Sequence, residues 1–181
     1  GEILAIASYP TFDPNAFARG RSRLITSYNR NKQTPLLDRA IAAQFPPGST
    51  FKAITAITAQ ELGVLSPTQL IDSPSEIKIL DTVFPNFQKE FHGLITLPKA
   101  LEVSSDTYFY QVGYKLYKER EAQQSEWAKK FGIGLPTRID LPGENAGRVP
   151  DPQWKVNHFK DLYPTLAVWL PGDEVNMTVG Q

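Results

Sequence analysis

The stretch Phe45-Pro46-Pro47-Gly48-Ser49-Thr50-Phe51-Lys52 decides how this chain of 181 residues is interpreted. It predicts a helix that begins at Ser49. Residues i and i+3 share one face of a helix, so the Ser49 hydroxyl and the Lys52 amine can meet. A serine is a poor nucleophile until a neighbouring base takes its proton, and a lysine held partly neutral can be that base. The unpaired amides at a helix start would stabilise negative charge that develops near Ser49.

Ser-x-x-Lys is a short pattern, and a second copy occurs at Ser75-Glu76-Ile77-Lys78. Residues 77–80 alternate like a strand, where i and i+3 point to opposite faces, so this second pair is not expected to cooperate. The structural alternative for the first copy is that Ser49 only caps the helix and Lys52 is solvated. However, residues 53–62 are apolar around most of the helix, which predicts a buried helix and argues against a solvated Lys52.

A second polar group, Ser104 and Asp106, lies between two predicted helices. The first is predicted over residues 97–102 with Thr96 as its cap, and the second over about 107–118. Serine and aspartate are favoured helix caps, so a purely structural role for Asp106 stays open on this evidence.

Together, these motifs resemble the transpeptidase domain of class B penicillin-binding proteins, where Ser-x-x-Lys is followed by Ser-x-Asn or Ser-x-Asp and then Lys-Thr-Gly. Other segments that resemble the family occur in the family's order at residues 1–8, 12–15, 39–41, 92–93, 131–134, 139–144, 169–173 and 179–181. The resemblance implies an α/β (α+β) fold of the β-lactamase and transpeptidase type, with helices around the nucleophile helix packed on an antiparallel sheet. Residues 1–181 would be the N-terminal portion of that domain.

The third family motif, Lys-Thr-Gly, is absent from the sequence. The resemblance implies that it lies on a strand downstream of Gln181, so we expect the sheet to be incomplete in this chain. Phe51, Ile54 and Ile57 would then gain solvent exposure, and the 181-residue piece alone would be inactive. Asp106 stands where asparagine is commoner, although aspartate is an accepted variant in the family.

The resemblance also implies a mechanism, that of a serine D,D-transpeptidase that cross-links peptidoglycan stem peptides ending in D-Ala-D-Ala through an acyl-enzyme on Ser49. Lys52 would take the Ser49 proton and Ser104 would relay it to the leaving amine. Asp106 would orient Lys52 and the substrate amide. Penicillin and other β-lactam antibiotics would trap Ser49. No cofactor is expected.

The same resemblance implies partners and a location. We expect other proteins of a cell-wall synthesis complex as partners, through parts of the protein outside this chain. We expect a parent protein at the extracytoplasmic face of the bacterial plasma membrane, anchored by an N-terminal transmembrane helix. No apolar run in the chain approaches the roughly 20 residues of a membrane span. The 19 basic and 19 acidic residues cancel, so nothing suggests a nucleic-acid partner.

Some family members bind zinc near the second motif through carboxylates, a histidine and a cysteine. Asp72 and His92 could contribute to such a site here. The chain has no cysteine, so no metal is predicted. His92 and His158 are interpreted as structural, because neither lies in a metal-ligand spacing.

Two other functions stay open. A class D-like β-lactamase or a β-lactam sensor would also carry Ser-Thr-Phe-Lys, as residues 49–52 do, but class D enzymes pair it with Ser-x-Val, which residues 104–106 do not match. A non-catalytic scaffold for cell-wall synthesis would be favoured if the parent protein lacked the third motif.

The coarse prediction of secondary structure is a single domain with few long elements. Regular structure is predicted as a strand over 2–8, the nucleophile helix over 49–62, two helices over 97–118 and a helix from about Glu121 to Phe131. Residues 13–34 are predicted to be irregular, residues 66–92 to be rich in loops, and the segment from Gly132 onward to have little regular structure.

Overall fold

The computed structural model of the chain describes residues 2–120 and 122–181. The chain divides into two compact units. The smaller comprises Gly1–Phe45 with Pro136–Gly147, and the larger comprises Pro46–Leu135 with Arg148–Gln181.

The smaller unit contains two helices, α1 (Asn15–Ala18) and α2 (Ser22–Arg30). The sequence prediction of an irregular stretch over residues 13–34 was therefore wrong. Leu24, Ile25 and Tyr28 are half-buried on one face of α2. The Tyr28 ring lies 6.0 Å, centroid to centroid, from the ring of Phe12. This aromatic contact gives the short polar helix α2 an apolar partner in Phe12.

The strand predicted over residues 2–8 is not present, and this prediction was also wrong. A strand needs a hydrogen-bonded neighbour, and no strand within the described part of the chain pairs with this segment. Its apolar side chains are consequently open to solvent: Ile3 is 58%, Leu4 87% and Ile6 48% exposed.

The larger unit carries the remaining elements. Its helices are α3 (Lys52–Glu61), α4 (Leu97–Glu102), α5 (Asp106–Arg120), α6 (Gln123–Lys130), α7 (Pro152–Phe159) and α8 (Pro171–Thr178). Its strands are β1 (Ile71–Ser73), β2 (Glu76–Ile79), β3 (Thr82–Pro85) and β4 (Gly93–Ile95). β1 pairs with β4 and β2 with β3, both antiparallel, with Ile71 opposite Ile95 and Ile77 opposite Phe84. The mixed helix and sheet architecture confirms the predicted fold class, and the small sheets fit a partial sheet.

Several predicted boundaries in this unit need correction. Residues 66–92 hold three strands and a short 3-10 turn, Phe87–Lys89, rather than mainly loops. The segment after Gly132 holds α7 and α8, where little regular structure was predicted. The predicted helix from Glu121 to Phe131 is found as α6, and Glu121 itself lies outside the described residues.

The core of the larger unit is centred on α5. Tyr108, Phe109 and Leu116 are fully buried, as is Val175 of α8. Helices α5 and α8 cross closely at Gly113, since a Cβ there would lie 2.3 Å from Cγ2 of Thr178. This contact fixes α5, which presents Asp106 at its first position.

Helix α3 is buried on one side only. Thr55, Ala56 and Ala59 are buried, whereas Ile57 is 38% exposed. The prediction of a helix buried all round was therefore wrong for that face. The expected exposure is found at Ile57, but Phe51 is only 5% exposed, because it packs with Trp169 and Met177 in a second apolar cluster.

Candidate active site

Ser49 lies in a single 3-10 turn, Gly48–Phe51, that leads directly into α3. Gly48 has φ +60°, a backbone conformation that favours glycine. Pro47 immediately precedes the turn, and no side chain caps it. Ser49 is exposed, and its hydroxyl has no hydrogen-bond partner among residues 2–120 and 122–181. The hydroxyl is thus not used as a helix cap.

Lys52 is the first residue of α3 and is only 1% exposed. Its Nζ donates hydrogen bonds to Asp106 Oδ1 at 2.6 Å, to Ser104 Oγ at 3.0 Å and to the Ser104 carbonyl oxygen at 2.5 Å. An ammonium has three N–H donors, so three acceptors satisfy it completely. The structure therefore brings Lys52, Ser104 and Asp106 together, with Ser49 one turn before Lys52.

The turn after α4 explains why both Ser104 oxygens face Lys52. The Ser105 amide donates to the Ala100 carbonyl at 2.9 Å and the Ser104 amide donates to the Leu101 carbonyl at 3.2 Å. These two bonds form a Schellman motif, whose turning residue adopts a left-handed conformation. Ser104 has φ +53°, which costs a non-glycine residue about 1–2 kcal/mol. The two hydrogen bonds that Ser104 accepts from Lys52 offset part of this strain.

Asp106 begins α5, but it does not cap that helix with its side chain. Ser105 does so, because its Oγ accepts a hydrogen bond from the Tyr108 amide at 3.1 Å. The Asp106 carboxylate is instead paired with Lys52, and its side chain is 20% exposed. The sequence left open that Asp106 only caps the helix. In the structure, Ser105 performs that capping role.

Two tyrosines near this site do not act as bases. Burial, and then the negative charge of Asp106, raise the pKa of Tyr110 to about 12. Burial raises the pKa of Tyr108 to about 12 as well. Both phenols therefore keep their protons at neutral pH.

The second Ser-x-x-Lys copy forms no comparable pair. Lys78 is exposed on β2, where it lies opposite Val83 of β3. Ser75 precedes the strand, and its carbonyl accepts a hydrogen bond from the Asn86 amide at 2.8 Å. In the described part of the chain, Ser75 and Lys78 share no hydrogen bond.

Asp72 and His92, the two residues considered for zinc, belong to no metal-binding group in the described residues. Over residues 2–120 and 122–181, no group of three or more histidine, cysteine, aspartate or glutamate side chains is placed to hold a metal ion. His92 lies 3.6 Å from Glu90 Oε2, and His158 stacks on Trp154 at 4.9 Å between ring centroids.

Gly180 packs its backbone against the turn that carries Ser49. The Gly48 amide donates to the Gly180 carbonyl at 3.2 Å. A Cβ on Gly180 would lie 2.3 Å from the Gly48 carbonyl oxygen and 2.6 Å from its nitrogen, and Gly180 has φ +74°. Sequence reasoning gave Gly180 no role, because a contact across 132 positions of the chain leaves no local pattern.

Comparison with known proteins shows the family of the chain. The family model described as "Penicillin binding protein transpeptidase domain" matches residues 1–165. The chain belongs to this penicillin-binding transpeptidase family. The chain is 33% identical over 184 residues to the peptidoglycan D,D-transpeptidase MrdA of Acinetobacter baumannii. That match covers 100% of this chain and 26% of the relative, so the chain spans about a quarter of its length.

Solved structures of penicillin-binding proteins resemble the chain as well. A complex between penicillin-binding protein PBP2 and MreC from Helicobacter pylori gives a TM-score of 0.87 at 30% identity, and the match covers 100% of this chain and 33% of that chain. Pseudomonas aeruginosa PBP2 in complex with WCK 5153 gives a TM-score of 0.83 at 28% identity, covering 99% and 40%. In the described residues of this chain, no helix has the length and apolar character needed to cross a membrane.

Proposed function

We propose that the protein containing this chain is a peptidoglycan D,D-transpeptidase that forms an acyl-enzyme on Ser49. One observation carries the proposal: the exposed Ser49 hydroxyl has no partner, while Lys52, one turn later, is buried against Ser104 and Asp106. A buried lysine is costly unless it is paired or used. Membership of the penicillin-binding transpeptidase family supports this reaction class.

In the acylation step, Ser49 Oγ attacks the carbonyl carbon between the two terminal D-alanines of a stem peptide. A new C–O ester bond forms and the peptide C–N bond breaks. Lys52, while neutral, takes the Ser49 proton. Asp106 then stabilises the ammonium, and Ser104 passes its hydroxyl proton to the leaving D-alanine amine and takes one back from Lys52, which becomes neutral again. An amine of a second stem peptide then attacks the ester carbonyl and gives its proton to Lys52. The new amide C–N bond is the cross-link, the ester C–O bond breaks, and Lys52 returns the proton to Ser49 Oγ.

The Ser49 amide is suited to stabilise the oxyanion of this step. It lies at the N-terminal end of Gly48–Phe51 and α3, where backbone amides lack helical partners. No acceptor for this amide is found in the part of the chain that the structure describes. A single oxyanion donor is worth roughly a hundredfold to a thousandfold in rate.

The substrates, inhibitors and partners follow from the same proposal. We expect stem peptides ending in D-Ala-D-Ala as substrate, β-lactams as covalent inhibitors, and action at the extracytoplasmic face of the bacterial plasma membrane. Because H. pylori PBP2 occurs in a complex with MreC, we expect the full-length protein to join a cell-wall synthesis complex.

Mapping the penicillin adduct tests the proposal. The full-length protein is incubated with fluorescent penicillin, digested, and the modified peptide is identified by mass spectrometry. We expect one adduct, on the peptide that contains Ser49, with slow loss of the label. Absence of an adduct, or an adduct on Ser75, contradicts the proposal, and rapid hydrolysis of the adduct indicates a β-lactamase instead.

Replacing Gly180 with alanine is expected to slow acylation. The new Cβ would push the Gly48 peptide away, and the Ser49 amide and hydroxyl move with it. A misplacement of about 1 Å can cost roughly a hundredfold in rate, so we expect the acylation rate constant to fall by about 10–100-fold. The left-handed φ also strains alanine, so the thermal midpoint should fall.

Gly172 provides the matched control, because a Cβ there meets nothing within 4 Å. Gly172→Ala should acylate at the wild-type rate and melt at the wild-type temperature or slightly above. If Gly180→Ala and Gly172→Ala behave alike in both measurements, the contact between Gly180 and the Ser49 turn has no functional weight.

A further inference from the structure

Asn86 is a buried polar residue that the mechanism above does not use. It follows strand β3 and is 4% exposed. Its Oδ1 accepts a hydrogen bond from the Asp106 amide at 2.8 Å, and its Nδ2 donates to the Glu90 carbonyl at 2.9 Å. Its backbone amide donates to the Ser75 carbonyl at 2.8 Å, and its carbonyl accepts from the Lys89 amide at 2.9 Å. Every polar group of Asn86 thus has a partner, and its side-chain oxygen is used by Asp106.

The bond to Asp106 satisfies a donor that α5 cannot satisfy itself. The first amides of a helix have no partner within the helix. Ser105 caps α5, but its Oγ accepts from the Tyr108 amide and leaves the Asp106 amide unpaired. Asn86, which lies 20 residues earlier in the chain, supplies the missing acceptor. It therefore fixes the backbone of the residue whose carboxylate contacts Lys52 at 2.6 Å.

The residues on either side of Asp106 are held by the same part of the fold. Ser73 Oγ lies 2.7 Å from Ser105 Oγ and 3.0 Å from Thr107 Oγ1, and all three side chains are fully buried. Thr107 Oγ1 also lies 2.9 Å from the Pro74 carbonyl oxygen, to which it donates. The strands β1 to β3 and their connections thus anchor three consecutive residues at the start of α5, and Asn86 holds the middle one.

We propose that Asn86 is a positioning residue for the Lys52–Asp106 pair. This inference rests on the proposed function, in which Lys52 takes the proton of Ser49. Without the Asn86 oxygen, the Asp106 amide would lose its acceptor and the first turn of α5 would move to find another. The Asp106 carboxylate would move with it, and Lys52 Nζ would lose one of the partners that hold it beside Ser104. Among the described residues, the Asn86 side chain shares no hydrogen bond with Ser49 or Lys52, so it acts through Asp106.

The test compares five forms of the full-length protein with the wild type. They are Asn86→Ala, Asn86→Asp, Asp106→Ala, the double variant Asn86→Ala with Asp106→Ala, and Ile79→Ala. Asn86→Asp keeps an acceptor for the Asp106 amide but loses the donor to Glu90. Ile79 is a buried core residue of β2, 7% exposed, and its replacement is the matched control for lost stability.

Acylation by fluorescent penicillin is resolved into a non-covalent dissociation constant and an acylation rate constant. We expect Asn86→Ala to lower the rate constant by about 10–100-fold with little change in the dissociation constant. Ile79→Ala should lower the thermal midpoint yet keep the rate constant within about twofold of wild type. Asn86→Asp should acylate faster than Asn86→Ala, because it keeps the acceptor.

The double variant separates positioning from a merely structural role. If Asn86 acts through the Asp106 carboxylate, the Asn86 side chain has little effect once that carboxylate is gone. The double variant should then acylate no more than about threefold slower than Asp106→Ala alone. Full multiplication of the two single effects overturns the proposal, as does an Asn86→Ala rate constant within twofold of wild type. If Asn86→Ala does not fold, the Asn86→Asp variant is compared with Asp106→Ala instead. If Asn86→Asp is acylated as slowly as Asp106→Ala, the proposal is overturned.

Amide hydrogen exchange distinguishes failure of the positioning role of Asn86 from failure of the proposed function. Exchange at the Asp106 amide should be slow in the wild type and faster in Asn86→Ala, whether or not penicillin reacts. If the wild type is not acylated, the proposed function fails, and unchanged exchange at Asp106 then overturns the positioning role as well. If the wild type is acylated on Ser49 and Asn86→Ala reacts equally fast, only the positioning role fails.

Discussion

Ser49→Ala is expected to abolish covalent labelling by fluorescent penicillin and to leave the fold intact. The hydroxyl is the proposed nucleophile, so its removal leaves no atom to form the ester. Because Ser49 is exposed and its hydroxyl has no partner in the described residues, the free energy of unfolding should stay within about 0.5 kcal/mol of wild type. Gel fluorescence measures the first effect and urea unfolding the second.

Ser75→Ala is the matched control for Ser49→Ala, since Ser75 begins the other Ser-x-x-Lys copy. It should be labelled as fast as the wild type. Full labelling of Ser49→Ala would remove Ser49 from the mechanism. A large loss of stability in that variant would instead show that the hydroxyl has a structural partner, contrary to the observed turn.

Helices that begin with a proline account for one error of the sequence prediction. Little regular structure was predicted after Gly132, yet Pro152 and Pro171 are the first residues of α7 and α8. Proline is tolerated at that position, because its missing N–H would be unpaired there in any case. Asp151 caps α7 by accepting from the Trp154 amide at 2.7 Å, a signal that the sequence offered and the prediction overlooked.

The site was more predictable where local rules apply than where distant segments meet. The burial of Lys52 followed from the apolar residues after it, and the structure confirms this burial. The left-handed Ser104 could not be predicted, because serine adopts that conformation only where surrounding contacts offset the strain. The Asn86–Asp106 bond likewise depends on how β3 and α5 pack, which no spacing in the sequence encodes.

Lys52→Met is expected to stop acylation and, unlike Ser49→Ala, to destabilise the fold. Methionine fills a similar volume but cannot accept a proton, and losing a general base costs about 10²–10⁴-fold in rate. It also leaves Asp106 and both Ser104 oxygens without their donor. Removing one partner of a buried pair costs about 3–5 kcal/mol. The Asp106 side chain is one-fifth exposed, so we expect about 2–3 kcal/mol here.

Lys115→Met tests whether these effects belong to the site. Lys115 Nζ donates to the Val64 carbonyl at 2.6 Å, so this replacement also removes a lysine bonded to the main chain. It should lower stability only slightly, because Lys115 is exposed, and acylation should continue at the wild-type rate.

Urea unfolding and the penicillin acylation rate are measured on both variants. Wild-type acylation in Lys52→Met would show that another group takes the proton of Ser49. Equal loss of stability in both variants would show that the pairing of Lys52 with Asp106 and Ser104 contributes no more than one surface hydrogen bond.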